Sequence, residues 1–122
     1  MNIVIIDDDK LVAVSLKTIL ESTGSVKVLA MGSCGEEAIE LYSLHKPDVL
    51  LMDIRMNGMS GLEVQEHLIA RNADLPIIFI TGHGDVPMAV NALKKGAVDF
   101  IEKPFDPVSY THLRAHETLS DL

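Results

Sequence analysis

The sequence has few cysteines, few basic residues and no long hydrophobic run, and each shortage argues against a class of protein. The one cysteine, Cys34, cannot form a disulfide within the chain, which is typical of proteins of a reducing cytoplasm. Ten basic residues stand against 18 acidic ones, and a formal net charge of −8 argues against non-specific binding to nucleic acid or anionic membranes. The apolar run at residues 3–6 is too short for a transmembrane helix or a signal peptide. We therefore expect a cytoplasmic protein without a membrane segment.

The residues that are present indicate a single globular domain. A chain of 122 residues with 48% hydrophobic residues can bury one sizeable core, and internal repeats and low-complexity segments are absent. Short apolar runs alternate with longer amphipathic segments along the whole chain. Strands are predicted at residues 3–6, 26–30, 49–52, 77–80 and 99–102, and helices at about 10–23, at about 36–45, after Ser60, and between Asp85 and Gly96.

Local signals support several of these boundaries. Ser60 with Glu63 three residues later is a capping-box sequence at the start of the third helix, and Asp85 is placed to cap the fourth. Five strand–helix units in a chain of this length predict an α/β fold with a parallel sheet and helices on both faces. The flavodoxin-like, doubly wound strand order 2-1-3-4-5 is the common solution at this size.

The segment around Asp53 has the features of a buried strand that ends at a ligand site. Four apolar residues, 49–52, predict a strand that is buried on both faces, and the strand stops at this carboxylate. A glycine-containing loop, residues 54–61, follows. Open α/β sheets bind their ligands at the carboxyl ends of the strands. We hypothesise that Asp53 is a nucleophile that accepts a phosphoryl group.

Polar residues also follow the other predicted strands, so a parallel sheet would bring them to the same edge. They are Asp7, Asp8 and Asp9 after the first strand, Thr81 after the fourth and Lys103 after the fifth. Carboxylates that converge in this way repel one another and require a cation, and hard oxygen ligands are suited to Mg²⁺. A lysine and a threonine hydroxyl beside them offer the charge neutralisation and positioning that phosphoryl transfer needs.

Each of these residues also has a simpler interpretation. Asp8 or Asp9 could cap the following helix, and for Asp9 this is the favoured reading. Alone, Lys103 before a proline would be read as a turn, and Thr81 at a strand end as an ordinary β-former. The prediction of a site therefore depends on the whole set falling at the ends of successive strands.

Four short segments occur together at a spacing that is specific to one family. They are residues 5–9 (IIDDD), 51–61 (LMDIRMNGMSG), 80–82 (ITG) and 100–105 (FIEKPF). Across residues 2 to about 106 the chain resembles the receiver domain of two-component response regulators. Residues 80–90, together with 96–100, are similar to the FixJ-type branch, whose members usually carry a C-terminal helix-turn-helix that binds DNA.

This resemblance implies a role for each motif residue. It makes Asp53 the phosphoacceptor and a metal ligand, with Asp7, Asp8 and the backbone carbonyl of Arg55 completing a Mg²⁺ site. It implies further roles for four residues: Thr81 moves toward the phosphoryl group, Lys103 binds one of its oxygens, Phe100 rotates inward in the active state, and Pro104 follows a cis peptide bond.

The resemblance also implies partners and a function. A sensor histidine kinase would donate the phosphoryl group, and the phosphorylated chain could dimerise through the face formed by helix 4 and strand 5. The chain would catalyse only its own phosphorylation and dephosphorylation, and would control an output, as expected of a transcription regulator with a DNA-binding domain elsewhere.

The sequence departs from the family pattern at two places. Asn57 stands where the family usually has proline, with little expected cost because Asn-Gly also forms a turn. Residues 107–122 do not follow the pattern of the family's fifth helix and resemble translated adaptor or vector sequence. We expect a receiver domain at 1–106, an atypical tail at 107–122 that resembles non-native sequence, and a missing output domain.

Two other functions remain open from the sequence. A Mg²⁺-dependent phosphatase with an aspartyl nucleophile would usually have a second acid two residues after the nucleophile, where this chain has Arg55. A pseudo-receiver that acts only as a docking surface would not need the complete acidic set.

Two weaker motifs give little support for any further functional site. The segment 82–84 (GHG) lacks the third glycine of a dinucleotide-binding loop, and the pair His112 and His116 is better explained as surface residues than as a zinc site. We hypothesise that His83 and Arg55 flank the phosphate and set the lifetime of the aspartyl phosphate.

Overall fold

The computed structural model describes residues 1–56, 58–71 and 76–103. Five strands and four α-helices alternate along this part of the chain, with one short 3₁₀ turn. The elements are β1 (Asn2–Ile6), α1 (Lys10–Glu21), β2 (Lys27–Gly32), α2 (Gly35–His45), β3 (Val49–Asp53), α3 (Gly61–Ala70), β4 (Ile77–Thr81), the 3₁₀ turn (His83–Asp85), α4 (Val86–Lys94) and β5 (Asp99–Glu102). Across the described ranges, no helix combines the length and the hydrophobicity that a membrane span requires.

The strands form one parallel sheet in the order β2-β1-β3-β4-β5. This is the predicted doubly wound order, so the fold prediction is confirmed. The switch point lies between β1 and β3, where successive connections run to opposite sides of the sheet. The carboxyl ends of these two strands therefore border a crevice that is open to a ligand.

The core lies on both faces of the sheet because alternate strand residues point in opposite directions. Val4, Ile6, Leu50, Met52 and Phe79 belong to the cluster that packs with α2, α3 and α4. The residues next to them in the strands belong to a second cluster that packs with α1, and include Ile3, Ile5, Val49, Leu51, Ile78 and Ile80. Every residue of β3 is buried, as the apolar run 49–52 predicted.

The helix starts follow the capping signals at two of three positions. The side chain of Asp9 accepts a hydrogen bond from the backbone of Leu11, and Ser60 and Glu63 form the complete capping box. Asp85 lies at the N-cap position of α4, but its side chain makes no capping hydrogen bond. That prediction needs correction, because the Asp85 carboxylate binds an arginine of the neighbouring loop instead.

Candidate functional site

The register of the sheet brings the predicted polar residues to one edge. Ile6 pairs with Met52, Asp53 pairs with Ile80, and Thr81 pairs with Glu102, so the strand ends are level with one another. Backbone hydrogen bonds extend this alignment past the strands: the amide of Asp7 donates to Gly32 on β2. In the same way, the Lys103 amide donates to the carbonyl of Thr81, and the Ile54 amide to that of Ile80.

Lys103 lies between the two buried carboxylates of the site. Its Nζ is 3.0 Å from Oδ2 of Asp53 and 3.1 Å from Oδ2 of Asp7. The two carboxylates are almost fully buried, with Asp7 2% and Asp53 4% exposed. The ammonium therefore holds the acids of β1 and β3 beside each other at the sheet edge.

One ammonium does not fully offset two buried carboxylates. Burial, and then the charge of Asp7, raises the pKa of Asp53 to about 6, against the opposing hydrogen bonds from Lys103 and the backbone of Arg55. Burial also raises the pKa of Asp7, although the backbone amide of Asp9 and the Lys103 ammonium oppose it. Burial alone would lower the pKa of Lys103, but the hydrogen bonds and charges of the two carboxylates outweigh it and the pKa rises. The site therefore favours an additional cation.

The donor set fits a hard divalent cation. One carboxylate oxygen from each of Asp7, Asp8 and Asp53 lies within 4.8 Å of the others, and Asp8 is exposed to solvent. Oδ2 of Asp7 is buried and accepts no hydrogen bond from any described residue, in spite of the nearby ammonium. Three carboxylates with an oxygen left without a hydrogen bond, open to water on one side, provide the ligands that Mg²⁺ takes in proteins.

Thr81 and Phe100 are the two residues predicted to move when Asp53 is phosphorylated. Thr81 is fully buried, and its hydroxyl donates to the carbonyl of Gly82 at 3.1 Å, so it is not engaged with Asp53. Phe100 lies on the edge strand β5, half-buried against the core cluster that includes Phe79.

The sequence did not predict the partner of the Arg55 side chain. Its Nε and one terminal nitrogen donate to Oδ1 of Asp85 at 3.1 and 2.8 Å, and Nε lies 3.2 Å from Oδ2. The guanidinium hydrogen bonds lower the pKa of Asp85, and the same contacts raise that of Arg55. The loop after β3 is thereby joined to the turn before α4.

Some of the predicted residues lie outside the described part of the chain. They are Asn57, Pro104 with its cis peptide bond, and the tail at 107–122 with His112 and His116. His83 is described only by its backbone in the 3₁₀ turn. The position of the Arg55 carbonyl as a metal ligand also stays a prediction.

The comparisons with known proteins agree with this geometry. A sequence model of the response regulator receiver domain matches residues 3–113. The chain belongs to this family. Receiver domains bind Mg²⁺ through acidic residues, interact with sensor histidine kinases and are not, in general, catalytic enzymes.

Named relatives place this receiver domain close to the FixJ-type branch, as predicted. Nodulation protein W of Bradyrhizobium diazoefficiens is 46% identical over 104 residues, covering 83% of this chain and 44% of that protein. Transcriptional regulatory protein FixJ of Azorhizobium caulinodans is 47% identical over 104 residues, covering 84% of this chain and 47% of that protein. The chain thus spans less than half the length of these curated relatives. The crystal structure of FixJ-N is similar in fold, with 41% identity, a TM-score of 0.80, and coverage of 98% and 93% of the two chains.

Proposed function

We propose that this receiver domain accepts a phosphoryl group from a sensor histidine kinase on Asp53, in a Mg²⁺-dependent reaction. The observation that carries the proposal is the arrangement of three acids and one ammonium: Asp7, Asp8 and Asp53 share one cluster, with Lys103 3.0 Å from Asp53. A carboxylate oxygen of Asp53 attacks phosphorus, a P–O bond forms, and the P–N bond to the kinase histidine breaks. The histidine nitrogen keeps the electron pair of that bond.

The residues around Asp53 hold it in position for this attack. The backbone amide of Arg55 donates to Oδ1 of Asp53 at 3.2 Å, while Lys103 donates to Oδ2 at 3.0 Å. These two contacts orient the carboxylate, and the Lys103 ammonium can then bind an oxygen of the transferred group. Phosphoryl transfer depends mainly on such positioning and charge neutralisation.

The residues proposed to hold Mg²⁺ are Asp7, Asp8, Asp53 and the backbone carbonyl of Arg55. When bound, Mg²⁺ would neutralise charge on the transferred phosphoryl oxygens. Two observations support this assignment: Oδ2 of Asp7 is buried with the Lys103 ammonium beside it but no hydrogen bond from a described residue, and the pKa values of the two buried acids are raised.

The new charge on Asp53 would then change neighbouring contacts. We propose that the Thr81 hydroxyl leaves the Gly82 carbonyl to bind a phosphoryl oxygen, and that Phe100 moves into the space beside it. Thr81 pairs with Glu102 of β5, and Phe100 is itself part of β5. We propose the face formed by α4 and β5 as the surface for phosphorylation-dependent dimerisation. Autocatalysed phosphorylation and dephosphorylation at Asp53 would be the only reactions that this chain catalyses.

The proposal extends to the wider protein. We propose a receiver domain at residues 1–106, a cis bond before Pro104, and an atypical tail at 107–122; the family match itself runs to residue 113. The relative named above as a transcriptional regulatory protein supports an output in transcription through a DNA-binding domain, and we propose a cytoplasmic location for the chain.

A labelling experiment tests the assignment of Asp53. The protein is incubated with acetyl phosphate and Mg²⁺, and intact mass is measured over time for the wild type and for Asp53→Asn. We expect the mass of one phosphoryl group to be added to the wild type only, and to be lost when EDTA replaces Mg²⁺. Repeated turnover of added phosphate esters would instead indicate a phosphatase, and the absence of labelling would indicate a pseudo-receiver.

A further inference from the structure

The ion pair of Arg55 and Asp85 links two loops that both border the phosphorylation site. Arg55 lies two residues after Asp53, and Asp85 ends the turn that leads from β4 into α4. The contact is a fork: both Oδ atoms of Asp85 lie within 3.2 Å of Nε, and a terminal nitrogen reaches Oδ1 at 2.8 Å. Such a geometry holds the planar guanidinium in one orientation.

The same turn also holds the Thr81 hydroxyl. The carbonyl of Gly82 accepts one hydrogen bond from Thr81 Oγ1 at 3.1 Å and another from the Asp85 amide at 3.0 Å. Two groups that could bind a phosphoryl oxygen, the hydroxyl of Thr81 and the guanidinium of Arg55, are therefore both occupied by residues 82–85. The single O–H of Thr81 must leave Gly82 before it can donate at Asp53, and the guanidinium must turn away from Asp85 before its Nε and the bonded terminal nitrogen can do so.

The Arg55 guanidinium interacts electrostatically with both Asp85 and Asp53. Asp85, and to a smaller extent Asp53, favours the charged form of Arg55 and raises its pKa. The Arg55 side chain is 68% exposed, so it can turn without opening the core. A phosphoryl group on Asp53 carries up to two negative charges and several acceptor oxygens, and would compete with the single carboxylate of Asp85.

The other end of α4 is tied to α3 by contacts that do not include the site. The buried side chain of Gln65 donates to the carbonyl of Ala92 at 3.1 Å, and Lys95 pairs with Glu66 at 2.7 Å. Loss of the contacts of residues 82–85 would therefore act at the start of α4, where Ala89 remains packed in the core, and would leave the polar contacts of its last turn in place. The exposed Glu66–Lys95 pair also offers a matched control.

We propose that Asp85 is a positioning residue that holds Arg55 away from Asp53 until a phosphoryl group competes for the guanidinium. Transfer of Arg55 from Asp85 to the phosphoryl oxygens, together with the departure of Thr81 from Gly82, removes the polar contacts that residues 82–85 make at the start of α4. The inference rests on the proposed phosphorylation of Asp53.

The Arg55 Nε–H signal in ¹⁵N NMR spectra reports this transfer. We expect different signals for the unphosphorylated wild type and Asp85→Asn, because only the former has the ion pair, and a wild-type-like signal for Asp85→Glu. With Mg²⁺ and beryllofluoride, a phosphoryl analogue, the wild-type and Asp85→Asn signals should converge, because Arg55 then has the same partner in both. Signals that stay apart, with the wild type unshifted, would overturn the proposal.

Labelling kinetics give a second readout. With Arg55 unpaired, Asp85→Asn should accelerate labelling by anionic acetyl phosphate about fivefold at low ionic strength, the most that an exposed ion pair is expected to contribute. In an Arg55→Gln background the same substitution should change the rate less than about twofold, since only a screened carboxylate is lost. Equal acceleration in both backgrounds would show that Asp85 does not act through Arg55.

Glu66→Gln is the matched control. It removes the same charge from an exposed ion pair at the other end of α4, and should leave the Arg55 signal and the labelling rate unchanged. A similar acceleration in this variant would show that loosening α4 is sufficient, against the proposal. Absence of an Asp53-dependent mass gain in the wild type would instead reject the proposed function.

Discussion

Replacing Asp53 by asparagine is expected to stabilise the protein in the absence of Mg²⁺, although it removes a hydrogen-bonded side chain. The Asp53 carboxylate is buried beside that of Asp7, and Lys103 is shared between the two. Asparagine has nearly the same shape, keeps an oxygen that can accept from Lys103, and carries no charge. The substitution thus removes the repulsion while retaining most of the packing.

The magnitude follows from the pKa of Asp53, which rises from an ordinary value of 3.8 to about 6 in the folded protein. A carboxyl group with a raised pKa binds its proton more tightly when folded, so its ionisation weakens folding as pH rises through this interval. This rise in pKa corresponds to a cost of about 3 kcal/mol at pH 7, where the cost is complete, and of less than about 1 kcal/mol at pH 4. We expect Asp53→Asn to gain about 1–3 kcal/mol at pH 7, allowing for the weaker hydrogen bond of an amide to Lys103.

Urea unfolding with EDTA at pH 7 and at about pH 4 measures this difference. Saturating Mg²⁺ should narrow the gap at pH 7, because the cation binds the folded wild type with its full set of carboxylates. Glu40→Gln, which removes one negative charge from the exposed side of α2, should change the free energy of unfolding by less than about 0.5 kcal/mol. An asparagine variant that is no more stable at pH 7, or whose gain is independent of pH, would refute the reasoning.

Three further substitutions test the backbone that supports the site. Gly61→Ala should lower the free energy of unfolding by about 1–3 kcal/mol and slow the labelling of Asp53, because the added Cβ would lie 2.6 Å from the Asp53 carbonyl oxygen. Urea unfolding measures the first effect and mass spectrometry the second. Gly84→Ala is the control, because a Cβ at that position meets no other atom of the described residues within 4 Å. Lys46→Gly should raise the free energy of unfolding by about 0.5–1 kcal/mol, since Lys46 ends α2 with a φ of 45° that glycine adopts without strain, and an unchanged urea midpoint would contradict this. Ser60→Ala should cost about 1 kcal/mol through the lost capping box of α3, whereas Ser60→Asp should retain most of the stability in the same measurement.

Much of the fold could be predicted because it depends on local patterns. The apolar runs at 3–6, 49–52 and 77–80 alternate with amphipathic segments, and this alternation in one small domain is typical of a parallel sheet with helices on its faces. The position of Asp53 at the end of β3 followed from this pattern, and the strand order was predicted as the common one for a chain of this size. The convergence of Asp7 and Asp53 followed too, because neighbouring parallel strands end at the same edge.

Other features could not be predicted, since they join residues that are distant in the chain. In the sequence, Asp85 is at a position typical of a helix cap. Its carboxylate reaches Arg55 only because the loop after β3 and the turn before α4 lie next to each other in the folded protein. Gln65 reads as a solvated helix residue, yet it is buried with its amide bonded to Ala92. Neither contact has a sequence signal, because each depends on how two separate elements pack.

The sequence by itself thus determined which chemical groups reach the carboxyl edge of the sheet, because side-chain periodicity and parallel connections place them there. The tertiary structure decided how those groups are paired: the ammonium of Lys103 lies between two acids, while the guanidinium of Arg55 is held by a third, Asp85. The physical reason is that hydrogen bonds and ion pairs act over about 3 Å. Contacts that short depend on the relative placement of whole elements, which no local pattern specifies.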